Sequence, residues 1–196
     1  MSDTSLAIKC QNGVFVGVDE GTHVTWKGVP FAKPPIGELR FKAPVKPDDS
    51  DETIICNSYA RRPLQPLQPL EAVSEDCLYL NVWSPAQKVT DRMPVMVWIF
   101  GGGFAMGGAS QFDGAALARK GVILVTVNYR VGTMGFFAHP ELSAENEQHV
   151  SGNYGILDQI AAAQDEIDRI LAELSANAAE HREQIECDFH VLVELD

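Results

Sequence analysis

The chain has 196 residues, 45% hydrophobic and 21% charged, enough apolar content for one core of good size or for a domain with an appendage. No apolar run approaches the length that spans a bilayer, and a formal charge of −12 argues against nucleic acid and anionic membranes as partners. That charge is uneven: residues 164–196 hold 10 of the 27 acidic residues and 2 of the 15 basic ones.

The first ten residues lack the basic and apolar regions of a signal peptide, which points to the cytoplasm. Cys10, Cys56, Cys77 and Cys187 have neither CxxC nor metal-ligand spacing, so free thiols and no metal are expected. In chain order, residues 13–18 and 22–29 alternate apolar residues about Asp19-Glu20-Gly21 and predict an antiparallel hairpin. The prolines from Pro30 to Pro47 predict an irregular loop. Residues 48–75 are polar and Pro-rich; the near-repeat at 63–70 is too short for a solenoid and reads as loop.

Residues 78–83 predict a strand, and 95–100, opened by Pro94, predict another buried on both faces. That second strand runs into Gly101-Gly102-Gly103, which delivers backbone N–H groups with no side chains in the way. A short helix over 112–120 stops at Gly121, and 122–127 is again a fully apolar strand. Strand, loop, helix and strand at this spacing predict a βαβ crossover and a partly parallel sheet. Residues 131–155 return to Gly-rich loop, and a helix begins near Gly155. From about 164 the composition changes: no glycine or proline follows. Apolar residues from Ile160 to Ala178 recur every three or four positions, one face of a long acidic helix, and 189–195 looks like a strand.

Several segments together resemble the type-B carboxylesterases, the α/β-hydrolase family that includes cholinesterases and bacterial para-nitrobenzyl esterases. They are Trp26-Lys27-Gly28-Val29-Pro30-Phe31-Ala32-Lys33-Pro34-Pro35, Gly37-Glu38-Leu39-Arg40-Phe41, Ser74 to Trp83, Pro94 to Phe104, Val125 to Arg130, and Gly152 to Gln159. They keep the family's order over residues 13–162 but match only its N-terminal portion. The resemblance implies a partial α/β-hydrolase fold: an N-terminal hairpin and the first strands of a mixed, mostly parallel sheet over residues 1–162. A divergent acidic helical tail, 163–196, would follow. It also implies small-molecule ester substrates, no cofactor, Gly102 and Gly103 as oxyanion-hole donors, and Glu75 with Arg130 as a buried structural ion pair. Phe100 stands where many hydrolases have His before the glycines. Cys77 occupies a position that forms a disulfide in extracellular relatives, but its usual partner position is not Cys here, so a free thiol is expected. A phosphate-binding reading of the glycines fits worse, because Met106 stands where G-x-G-x-x-G requires Gly.

The nucleophile elbow G-x-S-x-G does not occur: Ser110 has Gly108 two residues before it but Phe112 two after, and Ser143 and Ser151 fit no better. His23, His139, His149, His181 and His190 match no triad position. These residues are therefore expected to be inactive alone as an ester hydrolase. The alternative is a non-catalytic interaction module or an inert truncated fragment; truncation, frame change and fusion all remain open for the tail. An exposed edge beside the strands at 95–100 and 122–127 is expected to favour self-association, with the stripe at 160–178 covering part of it.

Overall fold

The computed structural model describes residues 6–85, 93–163 and 190–193. At the N-terminal end β1 (Ala7–Cys10) turns back antiparallel into β2 (Gly13–Val16), burying Ile8 against Phe15. The short β3 (Val18–Asp19) pairs antiparallel with β4 (His23–Pro30) across a turn in which the Gly21 N–H donates to Asp19 Oδ1 at 2.7 Å. The hairpin expected over 13–18 and 22–29 is thus split: residues 13–16 belong to a separate sheet and only 18–19 pair with β4. Gly17 is the cause. A Cβ there would stand 2.6 Å from the Trp26 ring, so the chain bends past that indole only because no side chain intervenes.

The stretch 48–75, expected as loop, contains β5 (Thr53–Ile55), parallel to β2, and the two-residue β6 (Arg62–Pro63) and β7 (Val73–Ser74), parallel to each other. Strands of two or three residues among prolines are too short to show an alternation in sequence. β8 (Tyr79–Pro85), β9 (Val95–Ile99), α1 (Ala115–Ala118) and β10 (Ile123–Val127) follow where strand, strand, helix and strand are expected. β9 and β10 are parallel, with Val97 opposite Val125, which makes β9–α1–β10 the expected crossover. The Gly-rich stretch after β10 holds α2 (Gly132–Phe136) and α3 (Pro140–Ala144), each barely longer than one turn, before α4 (Tyr154–Ala161). Most of the predicted acidic helix lies outside the described residues. Its terminal strand is observed as β11 (His190–Val193).

The main sheet has the order β11-β9-β10-β8-β4-β3. β11, β9 and β10 run parallel; β8 is antiparallel to β10 and to β4. The outer side of β9, expected to be an open edge, is taken by β11. All five residues of β10 are buried, as a central strand covered on both faces should be. Alternation divides them: Ile123, Val125 and Val127 join Leu80, Val82 and Val97 in the main core, while Leu124 packs with Trp83 and Ala118 of α1 on the opposite face. Inside the sheet Asn81 is satisfied by Thr126 Oγ1 at 3.0 Å and by the Gly28 N–H at 3.0 Å, where β4 is irregular.

Candidate active site

The parallel strands β11, β9 and β10 end level with one another, Val193 and Val127 both opposite Ile99. Ligands of open α/β sheets bind outside such carboxyl ends, and here Phe100 and Gly101–Gly103 emerge. Gly102 has φ 131° and Gly103 φ 58°, conformations that favour glycine. A Cβ at Gly102 would lie 2.1 Å from the Met106 carbonyl oxygen, so that position excludes every side chain. The carbonyl of Gly102 accepts from Ala105 N at 3.0 Å and Met106 N at 3.3 Å, closing the turn. The N–H groups of Gly102 and Gly103 meet no acceptor among the described residues, and Gly103 is exposed. Two unpaired amides on a tightly folded loop without side chains are chemically suited to hold a developing negative oxygen.

The loop is pinned at both ends by groups that spacing alone did not reveal. At its start the Tyr129 hydroxyl donates to Phe100 O at 2.6 Å, and the two rings stack with centroids 4.3 Å apart. Burial pushes the Tyr129 phenol up to about 12, so it stays protonated as a donor at neutral pH. At its far end Gln65 bonds both backbone groups of Gly107, and Asn128 Oδ1 accepts from Ala109 N at 2.9 Å. Tyr129 and Asn128 lie in a segment that carried the family resemblance; Gln65 sits in the Pro-Leu-Gln repeat and had no signal beyond being polar among prolines.

The implied Glu75–Arg130 pair is not the one formed. Arg130 is 3% exposed and binds Asp158, which is fully buried: Nε donates to Oδ2 at 2.8 Å, Nη2 to Oδ1 at 2.7 Å, and the backbone N–H to Oδ2 at 3.0 Å. Burial raises the Asp158 carboxyl above its usual range, and the bonds and charge of Arg130 pull it back down in part. Glu75 instead takes Arg40 at 2.6 and 2.9 Å, nearer the surface. The physical reason is placement. Asp158 comes from α4 directly onto the Arg130 backbone, which gives it three bonds at once, whereas Glu75 lies in the loop before β8 beside Arg40.

Cys56 and Cys77 are buried free thiols; burial pushes Cys56 up to about 12 and raises Cys77 as well, so neither is an activated nucleophile. Ser151 Oγ bonds Ser143 Oγ and the His139 carbonyl rather than an imidazole. Among the described residues no serine hydroxyl meets a histidine ring nitrogen, and no three His, Cys, Asp or Glu side chains are grouped to hold a metal ion.

The carboxylesterase family model matches residues 4–164. Fumonisin B1 esterase of Sphingopyxis macrogoltabida is 46% identical over 167 residues, 82% of this chain and 31% of that protein. Para-nitrobenzyl esterase of Bacillus subtilis strain 168 is 42% identical over 169 residues, 81% of this chain and 34% of its own. Among solved structures, a carboxylesterase of Geobacillus stearothermophilus superposes with a TM-score of 0.72 at 41% identity, over 80% of this chain and 33% of the other. A thermophilic PNB esterase gives 0.75 at 37% identity, over 90% and 37%. The chain thus spans about a third of the length of these proteins.

Proposed function

Because the chain belongs to the carboxylesterase family, we propose that its part in carboxylic-ester hydrolysis is to bind the oxyanion, with a small-molecule ester as substrate. When a nucleophile adds to an ester carbonyl, the oxygen gains negative charge that backbone N–H groups stabilise far more than they stabilise the neutral ester. Gly102 and Gly103 are the donors in this reading. The observation that carries it is their pair of N–H groups without an acceptor among the described residues, on a loop where a Cβ at Gly102 would stand 2.1 Å from Met106 O, outside the carboxyl ends of β9 and β10. Loss of one such donor costs a comparable hydrolase about 3–4 kcal/mol of barrier.

The 196 residues contain no G-x-S-x-G, so the step assigned to them is charge stabilisation and not attack. Two measurements test this. The purified chain should show no organophosphate-sensitive turnover of a short-chain nitrophenyl ester; turnover that an organophosphate abolishes would reveal a serine nucleophile and defeat the assignment. In ¹⁵N-glycine-labelled protein, titration with the tetrahedral anion ethyl methylphosphonate should move the Gly102 and Gly103 amide resonances saturably. Absence of any response at those two glycines would refute the oxyanion role.

A further inference from the structure

Gln65 is an 8% exposed amide in the Pro-rich stretch before β8, and its three hydrogen bonds among the described residues are all to main chain. Its Nε2 donates to Gly107 O at 2.7 Å and to Pro63 O at 2.9 Å, and its Oε1 accepts from Gly107 N at 2.8 Å. Holding a backbone donor and a backbone acceptor of one residue requires both functions on one side chain. A carboxamide has them and a carboxylate does not. The residue so held is the seat of the glycine loop. A Cβ on Gly107 would lie 2.4 Å from the Phe100 ring and 2.9 Å from Gly101 O, and Met106 O closes on Gly102. Residues 100–102 therefore rest directly on 106–107, and whatever fixes Gly107 fixes the depth of Gly102 and Gly103.

We propose that Gln65 is a positioning residue for the oxyanion donors: by clamping Gly107 it sets where the N–H groups of Gly102 and Gly103 stand. It contacts no reacting atom. The role of those donors rests on the function proposed above; the clamp itself does not. Asn128 makes a second tie between the same segments, accepting from Ala109 N at 2.9 Å and donating to Arg61 O at 3.2 Å, so the far end of the loop keeps a tether when Gln65 is changed.

The test uses the ¹⁵N-glycine-labelled chain with Gln65→Leu and Gln65→Glu, and ethyl methylphosphonate as the probe. At neutral pH both variants should shift the resonances of Gly102, Gly103 and Gly107, leave those of Gly21 and Gly37 in place, and bind the probe about tenfold more weakly. On acidification the carboxyl introduced by Gln65→Glu gains a proton and with it the donor it lacked. Its glycine resonances should then return toward those of the parent chain at the same pH, while those of Gln65→Leu should not. This rescue separates positioning from a general loss of stability, and it decides the matter even when Gln65→Leu does not fold. Unchanged Gly102 and Gly103 resonances in folded variants, or no recovery of Gln65→Glu on acidification, overturn the clamp. If the parent chain itself ignores the probe, the oxyanion reading fails, and the resonance shifts and their rescue alone then support or overturn the clamp.

Discussion

Arg130 and Asp158 are buried together and satisfied mostly by each other, with Lys42 O taking a further guanidinium bond at 2.8 Å and the Tyr154 ring 5.5 Å away. Asp158→Asn leaves that guanidinium without its counter-charge, and breaking a buried pair from one side costs about 3–5 kcal/mol. The expected outcome is a marked fall in the urea midpoint. Glu75→Gln should cost clearly less, because its pair with Arg40 is near the surface and solvent-screened. Equal losses in the two variants would restore Glu75 as the structural partner. Other single groups set a pH limit. Cys56 moves from an ordinary 9.0 to about 12, and Tyr79 and Tyr129 from 10.0 to about 12, each chiefly through burial. Raised folded values mean that these groups contribute stability which is complete below the unfolded values. Urea midpoints should therefore hold up to about pH 9 and fall between about pH 9 and pH 12 as the unfolded chain releases protons the folded one retains. A midpoint flat across that window would contradict their burial.

At the scale of elements, the strand-and-loop unit β9–Gly103 reads directly from sequence because its two signals are strong and local. One is an apolar run with no polar interruption, and the other is three glycines in succession. The same holds for β8, β10 and the crossover between β9 and β10. What spacing could not show are contacts that join distant segments: Gln65 to Gly107, Asn128 to Arg61, and Asp158 in place of Glu75 on Arg130. Each depends on where a loop is laid down after folding, and no periodicity encodes that. The split of β2 from β4 was hidden for a related reason, since Gly17 looks like any strand glycine until the Trp26 ring is placed over it. Within the loop, Gly102 and Gly103 should respond differently to alanine. Gly103→Ala meets open space and faces only the left-handed conformation, worth about 1–2 kcal/mol. Gly102→Ala meets Met106 O at 2.1 Å and must rebuild the turn. Thermal unfolding and glycine amide spectra should show a mild loss with local shifts for the first, and a larger loss with shifts through residues 102–107 for the second. The reverse order would mean that the loop is seated differently.

At the scale of the whole molecule, protection and association follow from position in the sheet. β8 and β10 have a hydrogen-bonded neighbour on each side and carry the fully buried Leu80, Val82 and Val125. Their amides should exchange most slowly with solvent, whereas β3, two residues long at one end of the order, should exchange near the fastest rate. The other end is β11, which pairs only with β9 among the described residues. Its outward backbone groups form a template for a further strand. The tail that carries it is also the most acidic part of the chain, so like charges oppose association at low ionic strength and salt screens them. Sedimentation velocity should accordingly show a monomer in dilute low-salt buffer. Dimers or larger species should grow with protein concentration and with added salt, the opposite of the salt response of an interface held by ion pairs. A single monomeric boundary at all concentrations and salts would show that the edge at β11 is closed.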